Sequence, residues 1–180
     1  NEALMEDTFK QADEITVGYK YLKDLFSNRF KVSQVYWTIE TKNYLIKDDY
    51  SFKGIPVIGW MGSPGNFKHV LSLSNVLADL SSKHVFKFRY ICRNNFDDKL
   101  PGVLCEHRTF DIDYYKNLYS FDIGISPFQT ENLRTKGKIA MKHQEFLLCG
   151  IPQVCSPVAI SEFVDNNVHV LIARNNEEWY

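Results

Sequence analysis

The chain predicts an open α/β fold, with a mainly parallel sheet and helices on both faces. Three observations carry that expectation. Between residues 55 and 173, short apolar segments alternate with segments of helical period. Glycine-bearing turns follow the apolar segments, as in Gly59-Trp60-Met61-Gly62-Ser63-Pro64-Gly65-Asn66. One helical segment is stopped by Gly150-Ile151-Pro152 and passes straight into another apolar run. Strands separated by single helices imply parallel pairing with right-handed crossovers.

Residues 14–18 read as a short strand. Residues 19–29 carry Tyr21, Leu22, Leu25 and Phe26 at helical spacing. Residues 31–38, with Val32, Val35, Tyr36 and Trp37, read again as strand. Residues 40–53 are polar and aperiodic, the best linker candidate. Beyond them, residues 55–61 read as a buried strand and 66–82 as a helix with Phe67, Val70, Leu71, Leu77 and Leu80 inward. Strands are expected at 85–92, 102–108, 121–127, 153–156 and 168–173. Helices are expected at 112–119 and 137–149, with a short one at 160–164. Residues 1–50 then form the tail of a separate unit, and 51–180 the α/β unit proper.

The 180 residues suffice for one compact domain, or a small domain plus part of another. A formal net charge of -1 argues against a nucleic-acid stripe or a polybasic membrane patch. No apolar run approaches the roughly 20 residues of a membrane helix, and no secretory leader is expected. Cys92, Cys105, Cys149 and Cys155 lie in or beside apolar segments without CxxC spacing. They read as buried reduced thiols in a cytoplasmic protein. The five histidines do not pair with one another or with carboxylates at ligand spacing, so no metal is expected. Asn1 is not an initiator, and Asn175-Asn176-Glu177-Glu178-Trp179 reads as a helix beginning, so the chain is expected to be a piece of a longer protein.

Three loops fall on the carboxyl edge of the expected sheet, where ligands of this architecture bind. The turn containing Gly62 and Ser63 allows tight backbone and offers Asn66 as a helix cap, a setting that favours phosphate; a plain strand-to-helix turn is the structural alternative. On the helix from Gly137, Lys138, Lys142, Glu145 and Cys149 share one stripe, while Ile139, His143, Phe146 and Leu147 share the sheet-facing one. A lysine near a helix start sits against the macrodipole unless an anion joins it. The alternative is a solvated face with a Lys142–Glu145 ion pair. Ser156-Pro157-Val158-Ala159-Ile160-Ser161-Glu162 is the third loop. His143 reads as a satisfied half-buried histidine, and Asp111 as a helix N-cap before Tyr114 and Tyr115.

Taken together, Ile58-Gly59-Trp60-Met61-Gly62-Ser63, Phe121-Asp122-Ile123-Gly124-Ile125-Ser126-Pro127-Phe128, Lys136-Gly137-Lys138, Lys142, Gln144-Glu145-Phe146-Leu147, Gly150-Ile151-Pro152 and Ser156-Pro157-Val158 resemble the C-terminal lobe of family 4-type GT-B glycosyltransferases, across residues 55–180. The resemblance implies a Rossmann-like donor lobe at 51–180, with 1–50 the end of an N-terminal acceptor lobe and the inter-lobe linker. It implies that Gly62 and Ser63 lie against a donor diphosphate, Lys138 and Lys142 neutralise it, Glu145 holds the ribose, and Ser156, Pro157 and Val158 pack near phosphates or base. Gly137 stands where many members carry a second glutamate, Ala159 where glycine is usual, and Cys149 where alanine is usual.

The function so implied is retaining transfer of a sugar, hexosyltransferase-type, from a nucleoside diphosphate sugar to a hydroxyl acceptor such as a saccharide or lipid-linked glycan. No cofactor and no nucleic-acid partner are expected. The location is cytoplasmic, with a peripheral place at the inner membrane face open to the full-length protein, and the piece alone is expected to be inactive. A non-catalytic GT-B-like binding or interaction module is the alternative, supported by Gly137. A nicotinamide enzyme is disfavoured, because no GxGxxG follows a strand.

Overall fold

The structure, a computed structural model, describes residues 2–51, 53–130, 133–138, 141–160 and 162–180. Its centre is a six-stranded, all-parallel sheet. The strands are β3 (Val57–Met61), β4 (Lys87–Cys92), β5 (Cys105–Thr109), β6 (Ile123–Ser126), β7 (Gln153–Cys155) and β8 (Leu171–Ile172), lying in the order β5-β4-β3-β6-β7-β8. The chain thus winds one way from β3 to β5, returns to the middle, and winds the other way from β6 to β8. The turnaround lies between β3 and β6, where an open sheet leaves a crevice at its carboxyl edge.

Period-two alternation sorts the side chains into two cores. Trp60, Phe88, Tyr90 and Cys92 pack on one face with Phe67 and Val70 of α3 (Phe67–Leu71) and Leu77 of α4 (Ser74–Lys83). Val57, Met61 and Ile91 pack on the other with Leu118 of α5 (Tyr114–Leu118) and Phe146 of α7 (Met141–Leu148). Helices therefore cover both faces, as expected. Gly59 and Gly124 pair across the central strands. A β-carbon on Gly124 would lie 2.7 Å from the Phe146 ring, and one on Gly59 2.0 Å from the Phe121 ring. Only hydrogen fits, so aromatic rings lie against bare backbone and α7 sits close to the sheet.

The N-terminal residues form α1 (Glu2–Lys10), β1 (Ile15–Val17), α2 (Lys20–Phe26) and β2 (Val32–Gln34). β1 and β2 make a separate parallel pair outside the main sheet. The stretch expected as a linker packs as a strap across the α/β unit. Lys47 is buried, and its ammonium donates to Phe121 O and Asp122 Oδ1, both at 2.9 Å, while Asp122 Oδ2 accepts from Val57 N–H. Lys47 N–H donates to Cys149 O at 2.8 Å, and Tyr50 Oη to Gly150 O at 2.8 Å. Polar composition suggested a linker; these polar groups are spent on the body of the fold. Phe52 lies outside the described residues.

Other expectations need correction. The helix expected from Gly137 is described from Met141, with the short α6 (Leu133–Lys136) before it and Lys138 in the turn between. No helix is described over 160–164, where Glu162 and Phe163 turn; Ser161 lies outside the described residues, as does Ile139. The last strand is only Leu171–Ile172, because Asn166 to Val170 closes a turn that points Val168 outward. Asp111 is not the cap of α5: it accepts from Asp113 N–H at 2.9 Å, a local turn that leaves Asp113 at the cap position. The final helix, α8 (Asn176–Trp179), begins where expected, its start capped by Asn175 Oδ1 accepting from Glu178 N–H.

Candidate functional site

A cleft of about 530 Å³ opens at the carboxyl ends of the strands, over the β3–β6 turnaround. Met61, Gly62, Ser63, Pro64 and Asn66 form the side after β3, and Phe128 the side after β6. Arg93 and Phe110 leave the ends of β4 and β5 side by side, because Phe110 N–H donates to Cys92 O. Tyr114 of α5 and Met141, Lys142 and Glu145 of α7 close it, together with Lys138. Lys138, Lys142 and Arg93 against Glu145 give the cleft an excess of positive charge.

Lys142 is the distinctive group. Its side chain is half-buried, but Nζ is shut off from solvent and has no hydrogen-bond partner among the described residues. It lies 4.9 Å from the centre of the Trp60 ring and 5.1 Å from that of Phe128. Aromatic faces recover only part of the lost hydration. Burial, with Lys138 adding repulsion, pulls its pKa down to about 7, against a smaller opposing pull from Glu145. The Trp60 Nε1–H, equally buried, also has no described acceptor. Lys138 donates to Asn66 Oδ1 at 2.7 Å and lies 5.4 Å from the Phe128 ring centre. Burial lowers its pKa too, and Lys68 adds to that.

Glu145 is 4% exposed, yet it makes no described ion pair with Lys142. Tyr44 Oη donates to its Oε1 at 2.7 Å, and Tyr114 Oη donates to the same oxygen. Burial raises the pKa of both phenols, Tyr114 to about 12, so both remain donors near neutrality.

The cleft thus brings together five of the residues singled out in the sequence: Gly62, Ser63, Lys138, Lys142 and Glu145. The lysine–glutamate stripe is not the exposed face that periodicity suggested, since Nζ of Lys142 and the Glu145 carboxylate are both withdrawn from solvent. Ser156, Pro157 and Val158 do not line the cleft. Ser156 is buried and its Oγ accepts from Phe128 N–H at 2.8 Å, while Val158 and Ala159 pack on Phe128. Ala159 takes φ 60, a left-handed conformation in which glycine would be at ease. The turn after β3 also differs from a phosphate cradle: Gly62 N–H already donates to Ile91 O, and α3 is only five residues long. Asn66 caps nothing with its side chain, holding Ser63 Oγ and Lys138 instead.

His143 is fully buried rather than half-buried, with Nδ1 2.8 Å from Gln153 Oε1 and Nε2 without a partner among the described residues, and burial lowers its pKa to about 4. Sequence reasoning missed four contributors. His69, with burial and nearby lysines depressing its pKa to about 4, accepts from Gln129 N–H and so pins the loop that carries Phe128. Phe110 and Arg93 were missed because only strand register puts them side by side. Tyr44 was missed because its partner is 101 residues away.

No protein-family model matches the chain, and no curated protein matches it in sequence. Solved structures do resemble it. A point mutant of S. aureus TarM, solved with UDP, fondaparinux and α-GlcNAc-glycerol, shares 11% identity over 98% of this chain and 37% of its own, with a TM-score of 0.70. The lipopolysaccharide outer core galactosyltransferase WaaB shares 10% over 93% of this chain and 51% of its own, TM-score 0.63. The glycosylation-associated Gap123 complex of Streptococcus agalactiae contains a chain sharing 14% over 98% of this one and 39% of its own, TM-score 0.58. The chain therefore has the fold of GT-B glycosyltransferases and spans about a third to a half of the length of these proteins. No described helix is long and apolar enough to cross a membrane.

Proposed function

We propose that the chain is the donor-binding part of a retaining glycosyltransferase of the family 4 type. It moves a hexose from a nucleoside diphosphate sugar to a hydroxyl of a saccharide or lipid-linked glycan. Residues 51–180 hold the donor, and residues 1–50 belong to the acceptor side and the connection. The observation that carries the reading is Lys142: a donor-only group, buried in a cleft, with no described acceptor beside it. Burying such a group is costly unless a partner meets it, and a ligand in the cleft would supply one.

A diphosphate laid across the ends of β3 and β6 meets Lys138 and Lys142 against Gly62 and Ser63. Fixed cations stabilise the charge that builds on a departing diphosphate, and they are in place before the reaction. That charge balance requires neither a metal nor another cofactor. Glu145 accepts from ribose hydroxyls. Ser156, Pro157 and Val158 act at one remove, by shaping the loop that carries Phe128. A cytoplasmic protein of glycan biosynthesis, peripheral to the membrane in its full length and inactive as this piece alone, fits the same reading.

Thermal stabilisation by UDP-, GDP- and ADP-linked sugars tests it first. Calorimetry on Lys142→Ala follows: the diphosphate should bind about 1.5–3 kcal/mol more weakly, the scale of a charged hydrogen bond, with the fold retained. An unchanged Kd returns Lys142 to a packing role. A second reading keeps binding and drops transfer. Gly137 favours it, at a position where the resembled family carries a glutamate, as does the likeness to the Gap123 complex. Tight nucleotide binding without donor turnover by the full-length protein selects that reading.

A further inference from the structure

The geometry points to Tyr44 and Tyr114 as positioning residues that orient Glu145 for a ligand's vicinal hydroxyls, and this rests on the nucleotide-sugar reading above. Both phenols donate to the same oxygen, Oε1, and neither to Oε2. A carboxylate held by one oxygen from two directions cannot turn about its terminal bond without breaking both hydrogen bonds. Its other oxygen keeps a fixed direction, and Glu145 borders the cleft. A pre-oriented acceptor costs a ligand less ordering on binding.

The arrangement is more than a means of anchoring the strap. Lys47 and Tyr50 already fasten it through Asp122, Phe121 O and Gly150 O, hydrogen bonds that do not involve Glu145. The two phenols are themselves 3.4 Å apart, and Tyr44 packs against Tyr115, so each is held in turn by its neighbours. Tyr44 comes from the strap and Tyr114 from α5. The acceptor group of the cleft is therefore aimed from outside the helix that bears it.

The test is calorimetry on the full chain with UDP, GDP and ADP, each against its 2′,3′-dideoxy analogue, and with inorganic pyrophosphate. For whichever nucleotide binds, the ribose form should bind about tenfold tighter than the dideoxy form, the scale of hydrogen bonds to a charged acceptor. In Tyr44→Phe and in Tyr114→Phe that ratio should fall to about twofold or less, with pyrophosphate affinity unchanged. Tyr50→Phe, which removes a strap hydrogen bond away from Glu145, should keep the wild-type ratio. A preserved ratio in either phenol variant overturns the assignment, as does an equal fall in Tyr50→Phe. If the wild type binds none of the nucleoside diphosphates, the functional reading fails and this inference falls with it.

Discussion

Lys142 concentrates the energetic cost of the cleft in one atom. With its pKa near 7 against an ordinary 10.5, the folded chain releases a proton that the unfolded chain still holds. Between those values the unfolded state binds more protons, so this group's contribution to stability rises with pH across that window. Below pH 7 the charged, desolvated ammonium is at its most unfavourable. Methionine has similar length and no charge, so Lys142→Met should stabilise the empty protein by about 2 kcal/mol at pH 6, as apolar replacement of buried charge commonly does. The gain should shrink by pH 9. Urea unfolding at the two pH values reads it, and a gain independent of pH would show that Nζ is solvated. The same variant should lose diphosphate binding, a trade of function for stability.

At the level of elements, the site depends on how closely α7 approaches the sheet. Gly124 sets that distance, because the Phe146 ring occupies the space a β-carbon would need. Lys142 lies one helical turn before Phe146, and Glu145 is its neighbour. Gly124→Ala should therefore cost about 1–3 kcal/mol as an overpacked core substitution. It should also weaken diphosphate binding, since the helix must shift to admit the methyl group. Thermal unfolding with calorimetry checks both, and full binding in a destabilised variant would show that the ring moves and the helix does not. The loop bearing Phe128 depends similarly on Ser156 and His69, which accept from its backbone at consecutive residues.

Across the whole molecule, what could be read in the sequence followed local rules. Strands β3, β4 and β6 are apolar and largely buried, and that pattern is visible in any window. The glycine-ended strands placed the β3 turn and α7 at one edge, so five of the eight expected donor contacts line a single cleft. The strap was opaque for the opposite reason. Tyr44, Lys47 and Tyr50 show no period, and their partners are Glu145, Asp122 and Gly150, far along the chain. Burial of Lys142 was also hidden, because helical periodicity gives a direction around the axis and says nothing of what stands there. Trp60 arrives on β3 and Phe128 on the loop after β6 to enclose it. Ser156 was expected in the cleft and lies behind it, because a hydroxyl at a strand end looks the same whether it meets a ligand or a neighbouring loop.

The strap has a consequence for the order in which the molecule assembles. Its residues precede their partners by 74 to 101 positions. During synthesis they emerge first and must wait until the central strands and α7 exist. Closing so long a loop is entropically slow, so docking of the strap is a late event, and by the same token an early one to reverse. Hydrogen exchange should show this: the Lys47 amide, bonded to Cys149 O, should exchange well before the amides of β3 and β4. Equal protection would mean that strap and sheet open as one cooperative unit. Where the strap opens first, Glu145 loses a phenol while the sheet is still intact, and the chain passes through a form with its scaffold complete and its acceptor group unaimed.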